Sequence, residues 1–373
     1  MSSEPRLHYM DNLRALAMLA GVLFHAALAY SPLMHPYFPT ADRDNAAIVD
    51  VFAWFLHLFR MPLFFVVAGF FAALLVHKRG LSGLFRNRLQ RILLPLPLLL
   101  FAPLVHLALS HSTQLAAQLV VHPPPMLQWV SQFAAMENPP SMPPGTSHLW
   151  FLYYLMLFYL LVWVGRSLEL RWPLTPLQEL HPVWLLGLAP LLLVPALAMV
   201  SAPHPAPESL LPQFWALGLF GAFFGFGYLL HSHPELLTRQ MPYAVWLALA
   251  SIALYGVYLH LLSVSPPGPE QPLSTLPMAV IAVYISVWMT SVCLGAGIRW
   301  LNHSNVVLRF LSSAAYWTYL IHLPLLFAIQ YLLMDLDWRW PWKLLFSTAT
   351  TLALCLLSYP ILVRRTPLRR LVG

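Results

Sequence analysis

Long apolar runs alternate with short polar or proline-rich segments along the whole chain. Ten of these runs approach the length of about 20 residues that a helix needs to cross a bilayer. The runs lie at about 15–31, 50–76, 92–110, 148–165, 183–200, 213–230, 242–262, 274–296, 311–333 and 342–363. This pattern predicts an all-α, polytopic membrane protein of about ten transmembrane helices, with both termini on the same side of the membrane.

The distribution of cations orients these predicted spans. With the N-terminus inside, sixteen of the 20 Lys and Arg residues fall on the cytoplasmic side, three fall outside, and Arg60 remains within a span. Cytoplasmic loops of membrane proteins carry such an excess of positive charge. We therefore expect both termini to be cytoplasmic, and we interpret the formal net charge of +7 as a consequence of topology and not as a sign of nucleic-acid binding.

The composition agrees with a membrane protein, since 59% of the residues are hydrophobic and only 9% are charged. Soluble domains are about 45–50% apolar and about 25% charged. The two cysteines, Cys293 and Cys355, lie inside apolar runs and support neither a disulfide framework nor a metal site. We expect residues 1–373 to form a single transmembrane domain without a metal or a tightly bound cofactor.

The first apolar run carries an arginine and a histidine on one helix face. Arg14 and His25 are eleven residues apart, which is close to three helical turns and about 16–17 Å along the axis. The pair places a cation near the cytoplasm and a titratable base deeper in the membrane, an arrangement that suits an acyl-CoA donor. The alternative is a snorkelling arginine together with a histidine that bonds between helices.

Ala27-Leu28-Ala29 also fits a signal-peptidase site, although the polar residues of the run argue against cleavage.

The second run contains Asp50, His57 and Arg60. Arg60 falls about 15 Å deep, where a guanidinium needs a carboxylate, a carbonyl, water or an anionic ligand. We predict a functional role for Arg60, an N-cap role for Asp50, and a kink just beyond Arg60 at Pro62.

The remaining polar candidates each have a functional and a structural interpretation. Arg88 and Arg91 fit either a donor phosphate site or a cluster that only sets topology. Trp150 fits either the site or an interfacial anchor, and His148 stands close by at the start of the same span. Tyr316, Tyr319 and His322 form a row that either lines the site or joins helices. The central part of every predicted span lacks Asp and Glu, which argues against a proton-coupled transporter.

Five segments resemble the acyltransferase-3 family of integral membrane acyltransferases, and they extend in order from residue 6 to about 324. They are Tyr9–Ala17 with Phe24-His25, Phe64–Phe70, Arg88–Pro95, Ser147–Leu152 and Ala315–Pro324. The first of them includes the family's Arg-x10-His spacing, at Arg14 and His25. The resemblance implies a catalytic base at His25, with Arg14 as its partner in donor binding.

The resemblance also implies transfer of an acyl group from cytoplasmic acyl-CoA, as co-substrate, to a periplasmic glycan at the bacterial inner membrane. A succinyl group and an osmoregulated glucan are the expected pair. Arg60 is the further catalytic candidate, and the candidates for substrate or donor binding are Arg88, Arg91, His148, Trp150, Tyr319 and His322. Two alternatives stay open: an O-acetyltransferase of exopolysaccharide or lipopolysaccharide, and a glycan exporter whose polar core is a translocation path.

Overall fold

The structure is a computed structural model that describes residues 8–91, 101–138, 145–169, 181–264 and 276–372, and this part of the chain is helical without strands. The helices are α1 (His8–Leu28), α2 (Ala47–Arg88), α3 (Phe101–Leu119), α4 (Pro125–Ala134), α5 (Trp150–Ser167), α6 (Pro182–Leu197, interrupted by a 3₁₀ segment at Ala189–Leu193), α7 (Phe214–Leu230), α8 (Ala244–Val264), α9 (Leu276–Trp300), α10 (Val306–Leu333) and α11 (Trp340–Ser358). Shorter turns are the 3₁₀ segments Ser147–Leu149 and Met241–Tyr243, the α-turns Glu235–Thr238 and Arg369–Val372, and the π-helix Tyr359–Arg364.

Seven helices of the described chain are long and apolar enough to cross a membrane. They contain α1, α2, α5, α8, α9, α10 and α11, and each overlaps one predicted span, although α1 begins earlier than predicted, at His8, and α2 continues beyond the predicted end, to Arg88. The predicted spans at 183–200 and 213–230 form the shorter apolar helices α6 and α7. The predicted span at 92–110 starts outside the described residues and continues into α3, and the proline-rich runs 139–144 and 266–269 lie outside them too. The all-helical membrane architecture is confirmed, whereas the count of ten spans and the orientation stay predictions.

Two local predictions for α2 are wrong, namely the N-cap role of Asp50 and the kink at Pro62. The helix begins at Ala47, so Asp50 lies within its first turn and does not cap it. Its carboxylate instead accepts hydrogen bonds from the Ser31 hydroxyl, from the Leu33 amide at 3.3 Å and from Trp54 Nε1 at 3.2 Å. Asp50 therefore fastens the segment that follows α1 to α2, because that segment supplies two of these three donors.

The break in α2 occurs at Gly80 and not at Pro62. Gly80 has φ 68°, ψ −179°, in a region that residues with a Cβ rarely adopt. Pro62 lies inside the helix with helical backbone angles. Neighbouring side chains and helices can compensate for the hydrogen bond that a proline removes within a membrane helix.

The chain packs as two compact units. Unit 1 comprises Met1–Ala17, His57–Leu89 and Trp150–Arg309, and unit 2 comprises Met18–Leu56, Gln90–Leu149 and Phe310–Gly373. The assignment of the whole chain to one domain remains a prediction.

In unit 1, α2 and α7 approach each other so closely that their backbones touch at two glycines. A Cβ on Gly69 would lie 1.9 Å from the Phe224 carbonyl oxygen, and one on Gly227 would lie 1.9 Å from the Val66 carbonyl oxygen. Small residues permit this close packing between membrane helices. The contact fixes α2 against the aromatic core of unit 1, in which the Phe65 and Phe220 rings stack with centroids 4.8 Å apart.

In unit 2, a buried ion pair joins the segment after α1 to α11. Lys343 Nζ donates to Asp42 Oδ2 at 2.6 Å and to the Met334 carbonyl at 3.1 Å. Both side chains are almost fully buried, at 1% and 3% exposure. Two charges this deep are stable only as a hydrogen-bonded pair, so the pair holds this segment in place.

Candidate active site

Three histidines from distant parts of the sequence are adjacent in unit 2. His25 lies on α1, His322 on α10, and His148 in the 3₁₀ turn that precedes α5. The ring centroids of His25 and His322 are 5.3 Å apart, and those of His148 and His322 are also 5.3 Å apart. We refer to these three residues as the histidine cluster. No group of three or more His, Cys, Asp or Glu in the described chain is arranged to hold a metal ion.

The tautomer of His322 follows from its hydrogen bonds. Its Nδ1 lies 3.1 Å from the Thr318 carbonyl oxygen and 2.9 Å from the Tyr319 carbonyl oxygen. A carbonyl can only accept, so Nδ1 carries the proton, and the neutral ring has its lone pair on Nε2. The side chain is 3% exposed, so packing holds the ring in this orientation. His322 therefore presents a fixed acceptor nitrogen within the cluster.

His148 is held at its backbone. The Tyr319 hydroxyl donates to the His148 carbonyl oxygen, and the two rings have centroids 5.8 Å apart. The His148 ring is buried, and neither ring nitrogen makes a hydrogen bond of normal geometry within the described residues. A buried neutral imidazole has one donor and one acceptor that need partners. The Tyr319 and Leu320 carbonyls lie beside the ring and can receive its donor, which leaves the acceptor nitrogen for a polar ligand.

Two arginines lie near one tyrosine in unit 1. The Arg14 guanidinium pairs with Asp11 at 3.2 Å and lies 5.2 Å from the ring centroid of Phe71. The Arg88 guanidinium stands 4.7 Å from the ring centroid of Tyr159, and both arginines are within electrostatic range of the Tyr159 hydroxyl. We refer to Arg14 and Arg88 as the arginine pair. The spacing of three residues predicts the contact between Asp11 and Arg14. The sequence carries no signal for Tyr159, because its contact with Arg88 depends on tertiary packing.

Arg91 differs from Arg88 in its surroundings. Its side chain is exposed, and its backbone carbonyl accepts a hydrogen bond from the Tyr316 hydroxyl at 2.9 Å, within unit 2. The three residues predicted to form one row therefore have different neighbours. Tyr316 contacts Arg91, whereas Tyr319 and His322 contact His148.

Arg60 is the only buried arginine among the described residues, at 7% exposure. His57 lies within its electrostatic range and donates from Nε2 to the His204 carbonyl oxygen at 2.9 Å. The His57 and His204 rings have centroids 4.4 Å apart. Burial lowers the pKa of His204 well below its usual value, and the neighbouring His57 lowers it further.

The sequence missed His204 as a partner because it lies between prolines in a segment that predicts an exposed, stiff linker. The structure buries it within unit 1 instead, against Trp215 and Phe220 as well as His57.

Trp150 belongs to the aromatic core of unit 1. Its side chain is 8% exposed, with ring centroids 5.2 Å from Phe220 and 6.2 Å from Tyr154. An anchor at the membrane–water interface needs an accessible ring, so the interpretation of Trp150 as such an anchor is wrong. The indole packs the start of α5 into this aromatic core.

Comparison with known proteins shows that the sequence is similar to acyltransferases. The family model described as an acyltransferase domain, that of acyltransferase-3, matches residues 7–360. The chain is also similar to proteins named glucans biosynthesis protein C from Salmonella schwarzengrund, Salmonella heidelberg and Salmonella typhi. Each is 26% identical over 341 residues, which cover 86% of this chain and 82% of the relative. No solved structure gives a significant match. The resemblance predicted from the five sequence motifs is confirmed.

Proposed function

Because the chain belongs to the acyltransferase-3 family and is a membrane acyltransferase, we propose that it moves a succinyl group from acyl-CoA to a glucan. In this proposal the donor is cytoplasmic, the acceptor is periplasmic, and the protein lies in a bacterial inner membrane. The name of its relatives, glucans biosynthesis protein C, supports a glucan as the acceptor. The observation that carries the proposal is the histidine cluster, which gathers a candidate base and two further imidazoles around one point of unit 2.

The proposed step is a direct acyl transfer. A glucan hydroxyl attacks the thioester carbonyl carbon while neutral His25 takes the hydroxyl proton. A new C–O ester bond forms, the C–S bond breaks, and coenzyme A leaves as a thiolate that receives the proton back from His25. The step needs no serine or cysteine nucleophile, and it returns His25 to its neutral form.

The arginine pair supports binding of the donor. Coenzyme A carries several phosphate charges, and arginine binds phosphate through charge-assisted hydrogen bonds. The Arg14 side chain is 38% exposed, so its guanidinium is accessible to a ligand as well as to Asp11. The stack of Arg88 on Tyr159 holds the second guanidinium in place. Arg91 is exposed and would add long-range attraction for the anionic donor.

Arg60 supports the choice of acyl group. A succinyl group ends in a carboxylate, and a buried guanidinium is suited to bind such an anion. An acetyl group carries no charged group that Arg60 could bind. In this proposal Arg60 binds the succinyl carboxylate, which would distinguish succinyl transfer from the O-acetyltransferase alternative, and the family match supports a transferase over a glycan exporter.

The experiment that tests the proposal uses purified protein in lipid nanodiscs. Succinyl-CoA or acetyl-CoA is added with a periplasmic glucan, and mass spectrometry detects the modified sugar. We expect succinyl-glucan that forms only when the protein and succinyl-CoA are both present. Acetylation in preference to succinylation would overturn the assigned acyl group, and modification of another glycan but not of glucan would overturn the acceptor. In sealed proteoliposomes, movement of glycan across the membrane without any acyl transfer would overturn the proposed reaction.

A further inference from the structure

His322 occupies the middle of the histidine cluster, yet the proposed step gives it no role. Its ring stands between the other two, at 5.3 Å from the His25 centroid and 5.3 Å from the His148 centroid. It is also nearly fully buried, so its position is set by packing. A histidine in this place is either a core residue or a partner of the base.

The hydrogen bonds of His322 favour the second interpretation. The two carbonyls of α10 hold the proton on Nδ1 and fix the plane of the ring. Its lone pair is thereby kept on Nε2, the ring nitrogen that does not contact the α10 carbonyls. At a centroid separation of 5.3 Å, an N–H of one imidazole can reach a nitrogen of the next at normal hydrogen-bond length.

We infer that His322 is a positioning residue for the catalytic base. The two rings are in contact, at 5.3 Å between centroids, but His322 Nε2 makes no hydrogen bond of normal geometry within the described residues. A small rotation of His25 brings one of its N–H groups to that nitrogen and directs its other ring nitrogen toward the acceptor hydroxyl. This inference rests on the proposed function, in which His25 takes the hydroxyl proton. A base that is oriented by a third group is the arrangement that activates hydroxyl nucleophiles in many hydrolases. Here a neutral imidazole takes the place of the usual carboxylate.

The surroundings explain why the orienting group must stay neutral. His25 becomes an imidazolium during the step, and a second positive charge beside it would oppose proton transfer. Three further groups surround the cluster. They are Tyr319, whose hydroxyl donates to the His148 carbonyl, His106 of α3 within electrostatic range of His148, and the Phe24 ring, whose centroid is 5.4 Å from that of His25. The Nε2 lone pair of His322 stabilises the single charge without adding another.

Two substitutions separate orientation from mere packing. In His322→Asn the amide nitrogen can replace Nδ1 and keep the bond to the α10 carbonyls, but no atom replaces Nε2. In His322→Gln the amide oxygen reaches the position of Nε2 and can accept from His25. His111→Asn, on the exposed side of α3, is the matched control.

We expect His322→Asn to lower kcat by roughly 10²-fold, within the range that acid–base groups contribute, with little change in the KM for acyl-CoA. The acidic limb of the pH–rate profile should move to lower pH, because the imidazolium of His25 loses a stabilising partner. His322→Gln should restore part of the kcat and part of the wild-type pH–rate profile. His111→Asn should resemble the wild type in both measurements. Equal rates and profiles for His322→Asn and the wild type would overturn the inference, as would equal losses in the Asn and Gln variants.

A second measurement does not depend on transfer. In protein with ¹⁵N-labelled histidine rings, His25 should show one tautomer in the wild type and a mixture in His322→Asn. An unchanged tautomer would overturn the inference even if transfer is observed. A changed tautomer in a protein that transfers no acyl group would support the positioning contact while overturning the proposed function.

Discussion

Arg88 differs from its exposed neighbour Arg86 in that its guanidinium stacks on an aromatic ring. Its guanidinium lies 4.7 Å from the Tyr159 ring centroid, near Arg14 of the same unit. If it binds a donor phosphate, its loss removes a charge-assisted hydrogen bond worth about 1.5–3 kcal/mol. We expect Arg88→Ala to raise the KM for acyl-CoA about tenfold or more with a smaller effect on kcat. Arg86→Ala, an exposed cation on the same helix, should change neither constant. An unchanged KM in Arg88→Ala would return Arg88 to a purely topological role.

The sequence predicts residues of the site better than it predicts their partners. His25, His148, Tyr319 and His322 are identified from polarity inside apolar runs, and the structure brings all four together in unit 2. Polarity inside a membrane span is informative because it is costly. The partners Tyr159 and His204 give no such signal, since an aromatic ring or a loop histidine is ordinary in a membrane protein until tertiary packing places it.

Asp335 makes a contact whose stabilising effect depends on pH. Partial burial acts to raise the pKa of the Asp335 carboxyl. Two hydrogen bonds, from the Val121 amide at 2.9 Å and from the His122 amide at 3.2 Å, act to lower it, as does the His122 ring. The net result is a pKa below the usual value. A lowered carboxyl pKa stabilises the folded state above the unfolded pKa, and this stabilisation is lost as the pH falls through the folded pKa.

We therefore expect Asp335→Asn to lower the melting temperature at neutral pH and to have no effect once the wild-type carboxylate is protonated at acid pH. Thermal unfolding in detergent across this pH range measures the difference. Asp337→Asn, at a carboxylate that is 93% exposed on the same connection, should have a much smaller effect. A loss of stability that is equal at all pH values would contradict the assignment.

The contact of α2 with α7 is the clearest determinant of packing at the level of helices. Gly227 has no room for a Cβ against the Val66 carbonyl, whereas a Cβ on Gly225 of the same helix would meet nothing within 4 Å. We expect Gly227→Ala to destabilise the protein by about 1–3 kcal/mol, the usual cost of overpacking, and Gly225→Ala to be tolerated. Thermal unfolding of the two variants in the same detergent provides the comparison. Equal stability of both would show that the helices can separate at no cost.

The lengths of most helices follow from the sequence, but their irregularities do not. Hydrophobic length locates the seven long helices because a membrane helix must cover a fixed thickness. The N-terminus of α2, three residues before Asp50, and its break at Gly80 depend on tertiary contacts and backbone angles, which a hydropathy pattern does not encode. The same applies to α6, which is interrupted by a 3₁₀ segment within one continuous apolar run.

For the whole molecule, the asymmetry of the cations predicts the orientation in the membrane. Ala206, in the connection before α7, should lie outside, and Ser304, in the connection before α10, should lie inside. Single cysteines at these two exposed positions, in a background with Cys293 and Cys355 replaced by alanine, report this with a membrane-impermeant maleimide. We expect Ala206→Cys to be labelled in intact spheroplasts and Ser304→Cys only after permeabilisation. The reverse result would contradict the predicted topology and, with it, a cytoplasmic donor.

The most direct test of the central claim is the rate of succinyl transfer from succinyl-CoA to glucan by the His25→Gln variant in nanodiscs. His111→Gln serves as the control, and the melting temperature of each variant establishes that it is folded. The proposed role of His25 as the base predicts a loss of roughly 10²–10⁴-fold in kcat for His25→Gln and an unchanged rate for His111→Gln. Transfer at the wild-type rate by folded His25→Gln would contradict it.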